Sequence, residues 1–284
     1  MLDHKCFHYV GAPVLNMRKE PHQKSEMVSQ ALFSERVEIL EESDDWVYIA
    51  TTVDGYKGWT NQEGITSRKE TFLSSADQVY VTVKRLAAHL YDAEDTIYGP
   101  AMTLPFESRL AILDSPETVK HGTGRWLRVE LPDGRQGWIQ RGDVRIGVTG
   151  LNLEEVCRFS HQFIGLPYTW GGRSSFGYDC SGFVQMLYRQ MGISLPRDSK
   201  QQFLWKGFKP VDVTNVDAGD LVFYGFDQER ICHVGFCLGD GKFIHTSAVS
   251  ENAPYLRVSS LHDPEWNGSG YYPYLNGRAL QQLS

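Results

Sequence analysis

Apolar and polar positions along the 284-residue chain follow one rhythm up to about residue 146 and another beyond it. In the first stretch they alternate in short runs. Asp45-Trp46-Val47-Tyr48-Ile49-Ala50 reads as a Trp-led strand, Asp54-Gly55 as a hairpin turn, and Tyr56-Lys57-Gly58-Trp59-Thr60 as the returning strand. The same pattern returns about 80 residues later. There Arg125-Trp126-Leu127-Arg128-Val129-Glu130 leads through Asp133-Gly134 into Gln136-Gly137-Trp138-Ile139. Residues 37–40 and 109–113 read as the short strands before each hairpin. An offset of this size is that of a small β-barrel, so two barrels are expected. Residues 84–108 read as a long, insertion-like stretch in the second, acidic around Tyr91-Asp92-Ala93-Glu94-Asp95.

After Ile146-Gly147-Val148-Thr149-Gly150 the period lengthens. Leu153, Val156, Phe159, Phe163 and Ile164 fall at helical spacing, and Pro167 ends that helix. A glycine-rich loop, Trp170-Gly171-Gly172-Arg173-Ser174, leads to Cys180, and Phe183, Val184, Met186, Leu187 and Tyr188 predict a second helix. Residues 220–224, 233–238 and 242–246 then read as strands. Helices followed by strands predict an α+β domain. With a connector at 69–76, three domains are expected: 1–72, 73–148 and 149–284.

Composition narrows the function classes. A net charge of −7, with no basic stripe, argues against a nucleic-acid or anionic-membrane partner. No apolar run approaches membrane-spanning length, and the first residues carry no secretory pattern. A cytoplasmic location is therefore expected. The five cysteines (6, 157, 180, 232 and 237) are odd in number and form no C-x-x-C pair. Neither a disulfide framework nor structural zinc is indicated, and Cys180 with Cys232, His233 and Cys237 lacks zinc-like spacing. No metal or organic cofactor is expected, and the oligomeric state is not legible.

Gly177-Tyr178-Asp179-Cys180-Ser181-Gly182-Phe183-Val184 is the most informative run. It sets Cys180 at a helix N-terminus, where unpaired N–H groups and the helix dipole favour a thiolate. Two readings follow: a nucleophile, or an ordinary buried cysteine. A nucleophile needs a base and the base an orienter. His233 opens an apolar strand, and His245 closes the next after the Gly239-Asp240-Gly241 turn. Antiparallel pairing brings the two together, with His245 fixing the tautomer of His233. The other seven histidines read as ordinary core or surface groups.

Six segments, in order, carry a resemblance: Phe163-Ile164-Gly165-Leu166-Pro167-Tyr168-Thr169-Trp170-Gly171-Gly172, Tyr178-Asp179-Cys180-Ser181-Gly182-Phe183-Val184, Leu195-Pro196-Arg197-Asp198-Ser199, Ala218-Gly219-Asp220-Leu221-Val222-Phe223, Ile231-Cys232-His233-Val234-Gly235, and Phe243-Ile244-His245-Thr246-Ser247. Residues 151–284 resemble the NlpC-type cell-wall cysteine peptidases, a papain-like clan. Residues 8–68 and 77–146 resemble bacterial SH3-type domains, barrels of five or six strands. The combination is similar to the γ-D-glutamyl-L-diamino acid endopeptidases. The resemblance implies Cys180 as nucleophile, His233 as base and His245 as orienter. It implies Tyr168 in the cleft, Asp179 and Ser181 as substrate contacts, and Asp198 and Ser199 in a pocket for a free amine. Asp198 also reads as a helix N-cap. Glu20 and Tyr56, from the first SH3-type domain, are candidates for the same ammonium.

The implied substrate is the peptidoglycan stem peptide, cut between γ-D-glutamate and diaminopimelate or lysine once its L-alanine amine is free. That fits a cytoplasmic enzyme trimming imported wall fragments. Two alternatives use the same residues: a thiol amidase or acyltransferase acting on another peptide or a lipid, and a catalytically silent SH3-type wall-binding protein.

Overall fold

The computed structural model describes residues 5–73, 79–147, 150–249 and 254–281. Parts of the connector at 69–76 and of the boundary at 146–150 lie outside the described residues. The chain divides into two compact units, Met1–Val148 with Ser174–Phe176, and Thr149–Arg173 with Gly177–Ser284.

Two seven-stranded antiparallel sheets make up the first unit. The first contains Phe7–Val10 (β1), Val14–Arg18 (β2), Met27–Leu32 (β3), Arg36–Ser43 (β4), Trp46–Thr51 (β5), Lys57–Asn61 (β6) and Ile65–Arg68 (β7). The second contains Tyr80–Val83 (β8), Ala87–Tyr91 (β9), Met102–Pro105 (β10), Arg109–Ile112 (β11), Trp126–Glu130 (β12), Gln136–Gln140 (β13) and Val144–Ile146 (β14). A short helix, Pro116–His121 (α1), precedes β12. The orders, β3-β2-β6-β5-β4-β1-β7 and β10-β9-β13-β12-β11-β8-β14, are the same topology seven strands apart. The duplicated hairpin is thus the centre of a duplicated SH3-like fold.

Alternation decides the cores. In β5 Val47 and Ile49 are buried while Tyr48 faces outward against Trp59, ring centroids 5.2 Å apart. Gly55 and Gly134 take the positive φ of 71° and 84° that their hairpin turns need. Two expectations are corrected. Each sheet has seven strands, not five or six. Residues 84–108 are no insertion, because they contain β9 and β10, the counterparts of β2 and β3.

The second unit opens with Leu153–Ser160 (α2), whose N-terminus is closed by a reciprocal capping box between Asn152 and Glu155. Two short strands, Arg173–Ser174 (β15) and Gly177–Tyr178 (β16), precede the helix Cys180–Gln190 (α3), and Ser199–Phe203 (α4) follows. The sheet is built from Phe208–Val211 (β17), Leu221–Gly225 (β18), Ile231–Gly239 (β19), Lys242–Thr246 (β20), Leu256–Ser260 (β21) and Tyr274–Leu280 (β22). Its order is β17-β22-β18-β19-β20-β21, antiparallel throughout. Helix α3 lies against β19 and β20 with every residue from Cys180 to Tyr188 buried. A helix buried this completely is held rigidly by close packing on all sides.

Candidate active site

Cys180 is the first residue of α3 and is 8% exposed. Asp179 caps the helix, its Oδ1 accepting from the Gly182 N–H at 2.7 Å. The Cys180 sulfur takes backbone hydrogen bonds from Val234, on β19, and from Ser181. It therefore lies beside the strand that carries His233.

Strand register sets the imidazoles. Phe236 pairs with Ile244 across β19 and β20. Carried one residue on, this sets His245 opposite Gly235 and diagonal to His233 on the same face. His233 Nε2 and His245 Nδ1 are 2.9 Å apart, and His245 Nε2 is 2.9 Å from Ser259 Oγ on β21. Both rings are buried, at 2% and 0% exposure. An aromatic wall covers them: Trp266 stands edge-on to His245 at 4.5 Å, and Tyr272 stacks on His233 at 6.0 Å and 12°.

These surroundings hold the groups neutral. Burial, then the positive Arg257, push His233 down to about 3. His245 is also held well below the usual imidazole range, by burial, then His233 and Arg257. Burial and then the Asp179 carboxylate push the Cys180 thiol up to about 12, against the backbone N–H of Val234, Arg197 and the Ser181 N–H. The expectation of a resting thiolate is corrected accordingly. The helix terminus is present, but it is dry, and the carboxylate that caps it repels an anionic sulfur.

The remaining candidates separate into groups. Tyr168 lies beside the sulfur: its hydroxyl is raised above the phenol range by burial and then by Cys180. Asp179 and Ser181 turn inward. The Asp179 carboxylate is gripped by Arg197 through Nη1–Oδ1 at 2.9 Å and Nη2–Oδ2 at 2.7 Å, and Arg197 Nη1 also donates to Ser181 Oγ at 3.0 Å. Both side chains are thus held within the fold by Arg197. Asp198 and Ser199 are half-buried at the start of α4, and Asp198 occupies the N-cap position without a side-chain capping bond. In the first unit, Tyr56 packs on the core of the first sheet, and Glu20 pairs with His22 at 3.1 Å. Among the described residues no group of three or more His, Cys, Asp or Glu side chains is placed to hold a metal ion.

Sequence reasoning missed Arg197, Ser259, Trp266 and Tyr272. Arg197 had a signal, since it sits inside Leu195-Pro196-Arg197-Asp198-Ser199. Ser259 lies on β21, and Trp266 and Tyr272 come from the strandless stretch between β21 and β22. Tyr272 also hydrogen-bonds Cys232, the residue before His233.

A cysteine at the head of a buried helix, beside the strand that carries one of two hydrogen-bonded imidazoles, can be compared with known proteins. Residues 165–269 match the NlpC/P60 family, and residues 17–65 match the bacterial dipeptidyl-peptidase SH3 domain. Residues 165–269 form an NlpC/P60 domain. Relatives of this NlpC/P60 domain align with the chain well beyond it. A γ-D-glutamyl-L-lysine dipeptidyl-peptidase of Bacillus cereus is 29% identical over 250 residues, 83% of this chain and 72% of the relative. Dipeptidyl-peptidase 6 of Lysinibacillus sphaericus is 27% identical over 266 residues, 89% and 91% of the two chains. The crystal structure of an NlpC/P60 family protein from Bacillus cereus shares the fold, with a TM-score of 0.81 at 22% identity, over 97% of this chain and 100% of that one. No helix among the described residues is long and apolar enough to cross a membrane.

Proposed function

We propose that this NlpC/P60 cysteine peptidase hydrolyses the γ-D-glutamyl–diamino acid bond of peptidoglycan stem peptides whose N-terminal L-alanine is free. The observation that carries the reading is the 2.9 Å link from His245 Nδ1 on β20 to His233 Nε2 on β19, the strand whose Val234 N–H meets the Cys180 sulfur. The names of the relatives supply the substrate class.

One proton arrangement along the imidazole pair serves the chemistry. His245 Nε2–H donates to Ser259, so His245 Nδ1 accepts from His233 Nε2–H. That leaves His233 Nδ1 as a free base. The thiol proton of Cys180 moves to this nitrogen as the sulfur attacks the γ-carbonyl carbon of D-glutamate. The Cys180 backbone N–H, at the head of α3, and the Tyr168 hydroxyl are the donors for the oxyanion. The carbon–nitrogen bond then breaks, and the His233 proton leaves with the amine of the diamino acid. A water molecule, deprotonated by His233, attacks the thioester and releases the glutamyl product. Asp198 is the counter-charge for the L-alanine ammonium.

Mass spectrometry of defined peptides tests this. L-Ala-γ-D-Glu-L-Lys and its diaminopimelate counterpart are expected to yield L-Ala-γ-D-Glu and the free diamino acid. N-acetylation of the alanine is expected to slow cleavage about tenfold or more, because a charge-assisted hydrogen bond is lost. Cys180→Ala is expected to abolish turnover. Cleavage by that variant would overturn the nucleophile, and equal rates on the acetylated peptide would remove the amine pocket.

A further inference from the structure

We propose that Arg197 is the positioning residue of this active site, fixing the turn that presents Cys180 and cancelling the Asp179 charge beside its sulfur. The proposal rests on Cys180 as nucleophile, as read above, and adds a residue that never touches the substrate.

The guanidinium is 2% exposed and lies where three pieces of chain meet. It holds both oxygens of Asp179, the cap of α3. It donates to Ser181 Oγ, one residue past the nucleophile, at 3.0 Å, and to the Gly172 carbonyl of the glycine-rich loop at 3.2 Å. Gln202 of α4 completes the clamp, its Nε2 donating to the Ser181 carbonyl at 3.0 Å and to the Pro196 carbonyl at 2.8 Å. Residues on both sides of Cys180 are therefore tied to one short segment, 196–202. The planar fork of arginine meets a carboxylate with two parallel bonds, a geometry lysine does not offer.

Charge gives Arg197 its second role. The sulfur is faced by Asp179 from its own helix cap, by Arg197, by the backbone of Val234 on β19, the neighbour of His233, and by the hydroxyls of Tyr168 and Tyr272. Of these, Asp179 opposes an anionic sulfur and Arg197 favours one. The cap is needed to start α3 at Cys180, yet its charge works against the thiolate that forms during attack. A buried cation bound to both carboxylate oxygens keeps the cap and removes most of that opposition.

Alkylation of Cys180 by iodoacetamide in the full chain, followed across pH by peptide mapping, separates this from a purely structural role. Asp179→Asn is expected to lower the pH midpoint of alkylation, and Arg197→Gln to raise it, each by about one pH unit or more. The double variant, with neither charge, is expected to return towards the native midpoint, and it remains informative where Arg197→Gln alone leaves too little folded protein. Arg197→Lys keeps the charge and loses the fork. Its midpoint is expected to stay near native, while kcat falls on the order of tenfold to a hundredfold with little change in KM. Coincident midpoints in the native, Asp179→Asn and double variants would overturn the electrostatic role. Native kcat in Arg197→Lys would overturn the positioning role. Retained turnover in Cys180→Ala would instead strike the underlying reading, so the two failures are distinguishable.

Discussion

In the proposed reaction His233 accepts a proton from a thiol and later returns one to an amine, and its surroundings set the pH at which it does so. Burial and Arg257 push it down to about 3. The competent form is the neutral ring, so a lowered pKa extends competence towards acid. The acid limb of kcat/KM is therefore expected well below 6.5, the value of a free imidazole. Arg257→Gln, which removes a charge facing both rings, is expected to move that limb upward. A pH–rate profile checks both, and a native limb at 6.5 or above would contradict the neutral pair. Removing His245, the proposed orienter, is expected to free the tautomer of His233. His245→Ala is expected to cost at least about a hundredfold in kcat, with His245→Asn retaining more because its amide oxygen can still accept from His233. The residues proposed to react were legible because each sits in a local pattern: a cysteine before a helical run, and two histidines on strands joined by a tight turn. Their supports were not. Arg197 reaches Asp179 across 18 positions and His245 reaches Ser259 across 14, and nothing in local periodicity encodes such pairings. The resting charge on Cys180 was misread for the same reason, since the helix end is visible in sequence while its burial is not.

Elements position these residues through contacts that leave little slack. Gly182, in the first turn of α3, is the clearest case. A Cβ there would overlap the carbonyl oxygen of Gly172 and press on the Asp179 carboxylate. The backbone oxygen cannot step aside without moving the glycine-rich loop. Gly182→Ala is therefore expected to destabilise the protein by about 1–3 kcal/mol, despite the higher helix propensity of alanine, and to lower kcat. Gly142→Ala, where a Cβ meets nothing within 4 Å, is expected to change stability by no more than about 0.5 kcal/mol. Chemical denaturation of the two variants decides between a packing effect and a general cost of losing glycine. The duplicated hairpins were readable because Asp54-Gly55 and Asp133-Gly134 announce their turns. Strands β9 and β10 were not. Ten residues (92–101) separate them, and that linker hides a pairing that runs from Met102–Leu90 to Pro105–Ala87.

Across the whole molecule, the site makes folding sensitive to acid. Two imidazoles stay neutral inside the fold, His233 down to about 3 and His245 also well below its usual range, whereas in the unfolded chain both titrate near 6.5. Below pH 6.5 the unfolded chain binds protons that the folded one refuses. Their contribution to stability is thus complete above that pH and shrinks as the pH falls towards 3. Each histidine imposes a slope of up to about 1.4 kcal/mol per pH unit in that window. Carboxylates titrate there too, so the native protein alone does not isolate the effect. The difference between native protein and a His233→Gln/His245→Gln variant does. Urea denaturation from pH 7.5 to 4.5 is expected to show the native advantage shrinking on acidification, and the variant losing the steeper part of the dependence. Parallel curves for the two proteins would mean that the buried pair protonates within the folded state. Such a pair would not hold the neutral His233 on which the proposed proton transfer from Cys180 depends.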